Sequence, residues 1–336
     1  MTHTHRAKNC ELLGILKTRK PTMNEDDFYD VVRAGHLVAL TQFLDTFRGI
    51  DIDKPDDRGD TALHIAAFNG DTSSIRLLID RGANVDSRNV VRKTPLHIAA
   101  WFGYASATQI LIESGADTER LDVMRTTPLH WAADHGRESA VITLIESGGA
   151  QVNAENGHGD TPLHLAALKG HAHVVGRLVE RGATVDADST YGTPLHLAAQ
   201  RGHDVVVTYL IRHGANVNRC CDFGHTPLHR AAMNNRKREV KILVESGSDI
   251  SCVARDGRTA LDFAIKRQHK GVIAVLEEAM RRLEHTRLIQ IALLFKPLDI
   301  AVLVLDTIYR SNAQHANHTV SRHCAWDLLK QIKAIH

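Results

Sequence analysis

Apolar and polar residues follow one another along this chain in a figure that returns about every 33 positions. In the clearest unit, Thr161-Pro162 opens an apolar run (Leu163, Leu165, Ala166, Ala167) that stops at Gly170. A second apolar run at helical spacing follows, Val174, Val175, Leu178 and Val179, and stops at Gly182-Ala183. The pattern predicts two short amphipathic helices per unit, the second leading into a hairpin.

A tetrapeptide marks each unit. It is Thr-Ala-Leu-His at Thr61, Thr-Pro-Leu-His at Thr94, Thr127, Thr161, Thr193 and Thr226, and Thr-Ala-Leu-Asp at Thr259. The steps are 33, 33, 34, 32, 33 and 33 residues, a fixed period that means a stacked array. Threonine caps free N–H groups, and proline sits in the first turn, where no intrahelical donor is lost. Gly70, Gly103, Gly136, Gly170 and Gly202 recur nine residues after the threonine, where a first helix must stop in a left-handed conformation. Asn235 and Gln268 stand there in the last two units. Ala-Ala pairs such as 166–167 let helices approach closely.

These residues resemble the ankyrin repeat over positions 24–280. The resemblance implies an all-α solenoid of helix pairs linked by β-hairpin loops. A degenerate first unit carries Phe28, Val31, Val32, Ala34-Gly35-His36, Leu40, Phe43 and Leu44, with Asp26 at the threonine position, making eight units. The first and last depart from the pattern, as capping repeats do. In the last, Ala279-Met280 replaces Gly-Ala, so its second helix is expected to continue past Glu278. Residues 1–23 read as a disordered leader, and 281–336 as a small helical C-terminal appendage.

The surface positions point to binding. The resemblance implies a concave face made of hairpin tips and first helices, with partner-facing residues four, three and one before each threonine and seven and eight after it. At these positions Phe68, Val90, Val91, Trp101, Phe102, Val123 and Met124 are apolar without needing to be so for folding, and they are expected to form one patch. Asp134, His135, Phe223 and Met233 complete the candidate partner-binding set, and Arg201, Lys266 and Arg267 are suited to steer an acidic segment. In the two most apolar fingers the glycine two residues before threonine is replaced by Arg92 and Arg125. There the tip either adopts another turn or tolerates strain. The extra residue at Gly148-Gly149 and the shortened finger at Ser189–Gly192 are expected to re-aim the neighbouring fingers.

Candidate chemistry is thin. The chain has 22 histidines, but six of them (64, 97, 130, 164, 196, 229) close the tetrapeptide, where an imidazole can bond neighbouring backbone and tie one repeat to the next. There is no His-Glu-x-x-His run, phosphate-cradling loop or nucleophile elbow. The expected protein is not an enzyme and uses no cofactor or metal. Five cysteines, an odd number without metal spacing, fit a reducing compartment, the cytoplasm with the nucleus left open. Cys220-Cys221 and Cys252 are read as unpaired, and Arg236-Lys237-Arg238 as a solvated face. A net charge of +2 gives no argument for nucleic acid. The apolar run 288–309 is interrupted by Lys296, Pro297, Asp299 and Asp306, so no membrane span is expected.

The expected function is therefore non-enzymatic: a monomeric intracellular adaptor or scaffold with a protein partner in the groove. The alternative is a substrate-recognition subunit of a cullin ubiquitin ligase. Pro297-Leu298-Asp299-Ile300 and Cys324-Ala325-Trp326 loosely resemble the opening and closing segments of F-box modules, and F-box-like or SOCS-box-like tails recruit cullin adaptors. Lys296 stands where such modules carry leucine, and the cysteine-to-tryptophan spacing is one residue short. Asn153 and Asn218 resemble sites used by asparaginyl hydroxylase in this family.

Overall fold

The computed structural model describes residues 25–294 apart from Arg48. Sixteen helices occur among these residues. They pair as α1 (Glu25–Ala34) with α2 (Leu37–Thr46), α3 (Ala62–Asn69) with α4 (Thr72–Asp80), and α5 (Pro95–Phe102) with α6 (Ala105–Glu113). Next come α7 (Pro128–Asp134) with α8 (Glu138–Glu146), α9 (Pro162–Lys169) with α10 (Ala172–Glu180), and α11 (Pro194–Arg201) with α12 (Asp204–Arg212). The last pairs are α13 (Pro227–Met233) with α14 (Lys237–Glu245) and α15 (Ala260–Lys266) with α16 (Lys270–Leu294). First helices stack on first helices and second on second, giving an inner and an outer layer.

The core is one continuous seam between the layers. The tetrapeptide leucines Leu63, Leu96, Leu129, Leu163 and Leu195 are fully buried, as are the Ala-Ala pairs that bring inner helices close. Each such leucine contributes about 2–3 kcal/mol of burial. Phe28, Val31, Val32, Leu40, Phe43 and Leu44 join the same core, so the first unit packs as a full repeat.

The threonine–histidine pair does two jobs. In α9, His164 Nδ1 accepts the Thr161 backbone N–H at 3.0 Å and lies 2.9 Å from its hydroxyl, closing the helix N-terminus. Its Nε2 then donates to the Gly192 carbonyl, 3.1 Å away in the next finger. The same reach links His64 to Lys93, His97 to Thr126, His130 to Asp160, His196 to His225 and His229 to Arg258. In the last unit Asp262 caps Thr259 alone, where no further finger follows among the described residues.

The helix stops carry a second set of ties. Asn235 and Gln268 take the left-handed conformation at φ 57° and 58°, as the glycines do. At Gly170 the φ is +80°, and a Cβ would lie 2.5 Å from the His203 ring. That ring reaches back to the Leu168 carbonyl at 3.1 Å. Arg137, His171, Arg236 and His269 occupy the equivalent place and bond the carbonyls of Trp101, Asp134, Gln200 and Ala232. Arg236 is thus half-buried and structural, a correction to its reading as part of a solvated face, whereas Lys237 and Arg238 are exposed.

The fingers are tight turns; among the described residues none forms a regular strand, because each loop closes on too few bonds to build a ladder. Neighbouring tips are joined by single backbone bonds, such as Val90 N–H to Arg58, Val123 N–H to Val91 and Gly157 N–H to Met124. Among the described residues no such bond links the shortened finger at Ser189–Gly192 to the finger of Phe223. Asn153 and Asn218 bridge to the following repeat: their carboxamides donate to Gly182 and Gly247 and accept from the N–H groups of Thr184 and Asp249.

Helix α16 runs 25 residues to Leu294, past Glu278, because neither Ala279 nor Met280 supplies a turn. The leader 1–23, the segments around Pro297 and Cys324, and the later helices expected in 281–336 lie outside the described residues.

Candidate functional site

The sequence places tryptophan at two positions that face the groove. Trp101 lies in the last turn of α5, and Trp131 stands four residues after Thr127, where the other units carry Ile65, Ile98, Leu165, Leu197, Arg230 or Phe263. An indole is too large to be enclosed there, so Trp131 stays half-buried and presents a face to the groove. The two indoles stack with centroids 4.8 Å apart and planes 23° apart.

The stack extends in both directions. Phe102 lies 5.7 Å from Trp101, and Phe68 meets Phe102 edge-on at 4.8 Å. On the other side His135 stacks on Trp131 at 5.6 Å and lies 5.2 Å from Trp101. Three consecutive repeats therefore share one aromatic run, each contact worth about 0.5–1.5 kcal/mol. Burial lowers the His135 pKa, against the raising effect of its bond to the Trp131 carbonyl, so the ring at the end of the run is neutral near pH 7.

Lys93 crosses this run. Its Nζ lies 3.9 Å from the Trp101 ring centre and 3.7 Å from that of Trp131. Such cation–π contacts contribute about 0.5–2 kcal/mol each. Burial lowers the Lys93 pKa, and the nearby carboxylates of Asp122 and Asp60 oppose that shift. Asp122 is buried and spoken for: it accepts from the N–H groups of Met124 and Thr126 and from Trp131 Nε1 at 3.0 Å. That last bond fixes the indole plane beneath Lys93.

The fingers rim this run. Val90, Val123, Met124 and Phe68 are each more than half exposed, and Val91 is exposed at 41%. Arg92 and Arg125 have φ 60° and 57°, so both tips keep the left-handed turn despite the missing glycine. Beside Phe68 opens a hollow of about 740 Å³ lined by Tyr29, Arg33, Asp56, Asp60 and His64 among others.

The structure joins Phe68, Trp101, Phe102 and His135 in ring contact, ties the tip of Val123 to that of Val91 by a backbone bond, and leaves Val90 and Met124 exposed on the same two fingers. Trp101 and Phe102 are half-buried in mutual contact rather than free-standing. Asp134 lies beside the run and pairs with Lys169 at 3.6 Å. Phe223 and Met233 belong to a repeat three beyond that of Trp131; Phe223 is exposed and, among the described residues, stacks only on His225 at 6.1 Å. Reading by exposed positions alone passed over Trp131 and the bridging role of Lys93. The signal was a tryptophan where every other aliphatic-length slot is smaller.

Among the described residues no cluster of three or more histidine, cysteine or acidic side chains is placed to hold a metal, and no helix is long and apolar enough to cross a membrane. Cys220, Cys221 and Cys252 are free thiols.

Comparison with known proteins agrees with this architecture. A family profile described as ankyrin repeats (3 copies) matches residues 28–122, 93–156, 129–221 and 195–282. The chain belongs to the ankyrin repeat family. Among solved structures it is similar to the human ASB11 ankyrin repeat domain, with 29% identity and a TM-score of 0.61, over 66% of this chain and 98% of that one. It is also similar to the ankyrin repeat domain of Bcl-3, a member of the IkappaB protein family, with 33% identity and a TM-score of 0.57, over 66% of this chain and all of that one. No curated protein gives a significant match.

Proposed function

We propose that this protein is a non-enzymatic adaptor that holds a protein partner in its concave groove, with the run from Phe68 to Trp131 as the anchor. The observation that carries this reading is the coincidence of exposed Val90, Val123, Met124 and Phe68 with stacked aromatics on three adjacent repeats. Contiguous apolar surface of this kind marks interfaces, and aromatic residues supply most of their binding energy. A preformed groove meets its partner with little ordering cost.

Affinity capture from cells, comparing wild type with a folded Trp101→Asp/Met124→Asp double variant, tests it. Partners held by the groove disappear from the variant. A partner set that does not change moves binding to another surface.

A second reading makes the protein the substrate receptor of a cullin ubiquitin ligase, the groove holding the substrate. It rests on the Pro297-Leu298-Asp299-Ile300 and Cys324-Ala325-Trp326 segments that follow α16. Co-purification of a cullin adaptor, lost on deleting 296–336, separates it from a plain adaptor.

A further inference from the structure

The groove presents cations that the protein itself leaves unanswered. Among the described residues Lys93 Nζ has two indole faces but makes no hydrogen bond or ion pair. Arg58, Arg92 and Arg125, exposed on three successive fingers, likewise make no side-chain hydrogen bond or ion pair. The carboxylates closest to Lys93 are engaged: Asp122 by three N–H donors, and Asp60 by the Asn89 carboxamide at 2.8 Å. Among the described residues, Asp57 is the one exposed acid on these fingers without a hydrogen-bond or ion-pair partner.

A half-buried ammonium with no acceptor is costly to desolvate further, so an apolar partner laid across Trp101 and Trp131 would lose much of its gain. A partner cation is disfavoured as well, because Lys93 already lies over both indoles and Arg58, Arg92 and Arg125 stand exposed on the three successive fingers. The complement is an anion between apolar side chains. We infer that the groove takes an acidic–apolar peptide segment, in which a carboxylate side chain caps Lys93 Nζ and flanking large apolar residues pack on Trp101 and the exposed Val90, Val123 and Met124. This rests on the groove being the binding site, and it names the chemistry of what enters. Arg201 and Lys266, exposed and unpaired farther along the inner face, extend the same preference toward the C-terminal repeats.

The test is selection of a displayed library of random twelve-residue peptides against the folded protein at low salt. Binding of the enriched peptides is then measured to wild type, Lys93→Met, Lys93→Arg and Trp101→Ala. The expected peptides carry Asp or Glu beside Leu, Phe or Trp. Lys93→Met is expected to weaken them at least tenfold, Lys93→Arg to retain most of the affinity, and amidation of the acid to mimic Lys93→Met. Peptides that depend on Trp101 but lack acids, or ignore Lys93, overturn the acidic preference and leave the groove standing. Peptides indifferent to Trp101, or no enrichment at all, overturn both. Thermal unfolding of each variant excludes misfolding as the cause.

Discussion

The Nε2 of His97 donates to the carbonyl oxygen of Thr126 at 3.0 Å, joining two repeats through a fully buried ring. Its Nδ1 is meanwhile occupied by Thr94, so the bonded form is the neutral tautomer with the proton on Nε2. A second proton on Nδ1 would displace the Thr94 N–H that this nitrogen accepts.

Acid should therefore loosen the array. Burial pulls His97, His130 and His196 down to about 4, from an ordinary value of 6.5. Above pH 6.5 both folded and unfolded forms are neutral and nothing is lost. Between 6.5 and 4 the unfolded chain takes up protons that the folded one refuses, so stability falls as pH falls. Each site then costs on the order of 3 kcal/mol by pH 4. Urea midpoints at pH 7.5, 6 and 5 are expected to drop steadily; equal midpoints would show the rings protonate in place.

Gly170 is required on two counts, its left-handed φ and the His203 ring against which a Cβ would press. Gly170→Ala is expected to cost roughly 2–4 kcal/mol. Gly182→Ala, at φ +86° with open space around it, should cost less, since only the backbone term applies. Chemical denaturation of both variants checks the order.

Arg92 and Arg125 hold a conformation suited to glycine. Arg92→Gly and Arg125→Gly are each expected to raise stability by up to about 1 kcal/mol, the relieved strain being partly offset by the freer unfolded chain. The same changes should weaken an acidic partner several-fold. Stability and binding moving in opposite directions is the signature of strain kept for function.

Trp101→Ala removes a ring stacked on both Trp131 and Phe102. It is expected to cost about 1–3 kcal/mol of stability as well as about 2 kcal/mol or more of partner affinity. Met124→Ala, exposed on its finger tip, should weaken binding with a change in stability within about 0.5 kcal/mol. Paired unfolding and binding measurements separate the two roles.

Much of the scaffold was legible because its chemistry repeats. The Thr-to-His interval and the Ala-Ala pair, each shown six times, and the left-handed stop, shown seven times, have local causes that the sequence displays. Asn235 and Gln268 could be placed at helix stops for the same reason. The site was legible in part. Position within the repeat pointed to Trp101, Met124 and the valines. Trp131 was hidden because its slot is apolar in most units and reads as core. The Lys93 bridge depends on indoles 30 residues apart, brought into register only by stacking. Arg236 was misread for a related reason: its carbonyl partner, Gln200, lies in the preceding repeat.

Hydrogen–deuterium exchange of the protein with its principal captured partner tests the groove most directly. Slowed exchange is predicted in the finger tips at Val90–Lys93 and Val123–Thr126 and at the C-terminal ends of α5 and α7. Protection confined to the outer helices α14 and α16, with these fingers unchanged, would contradict it.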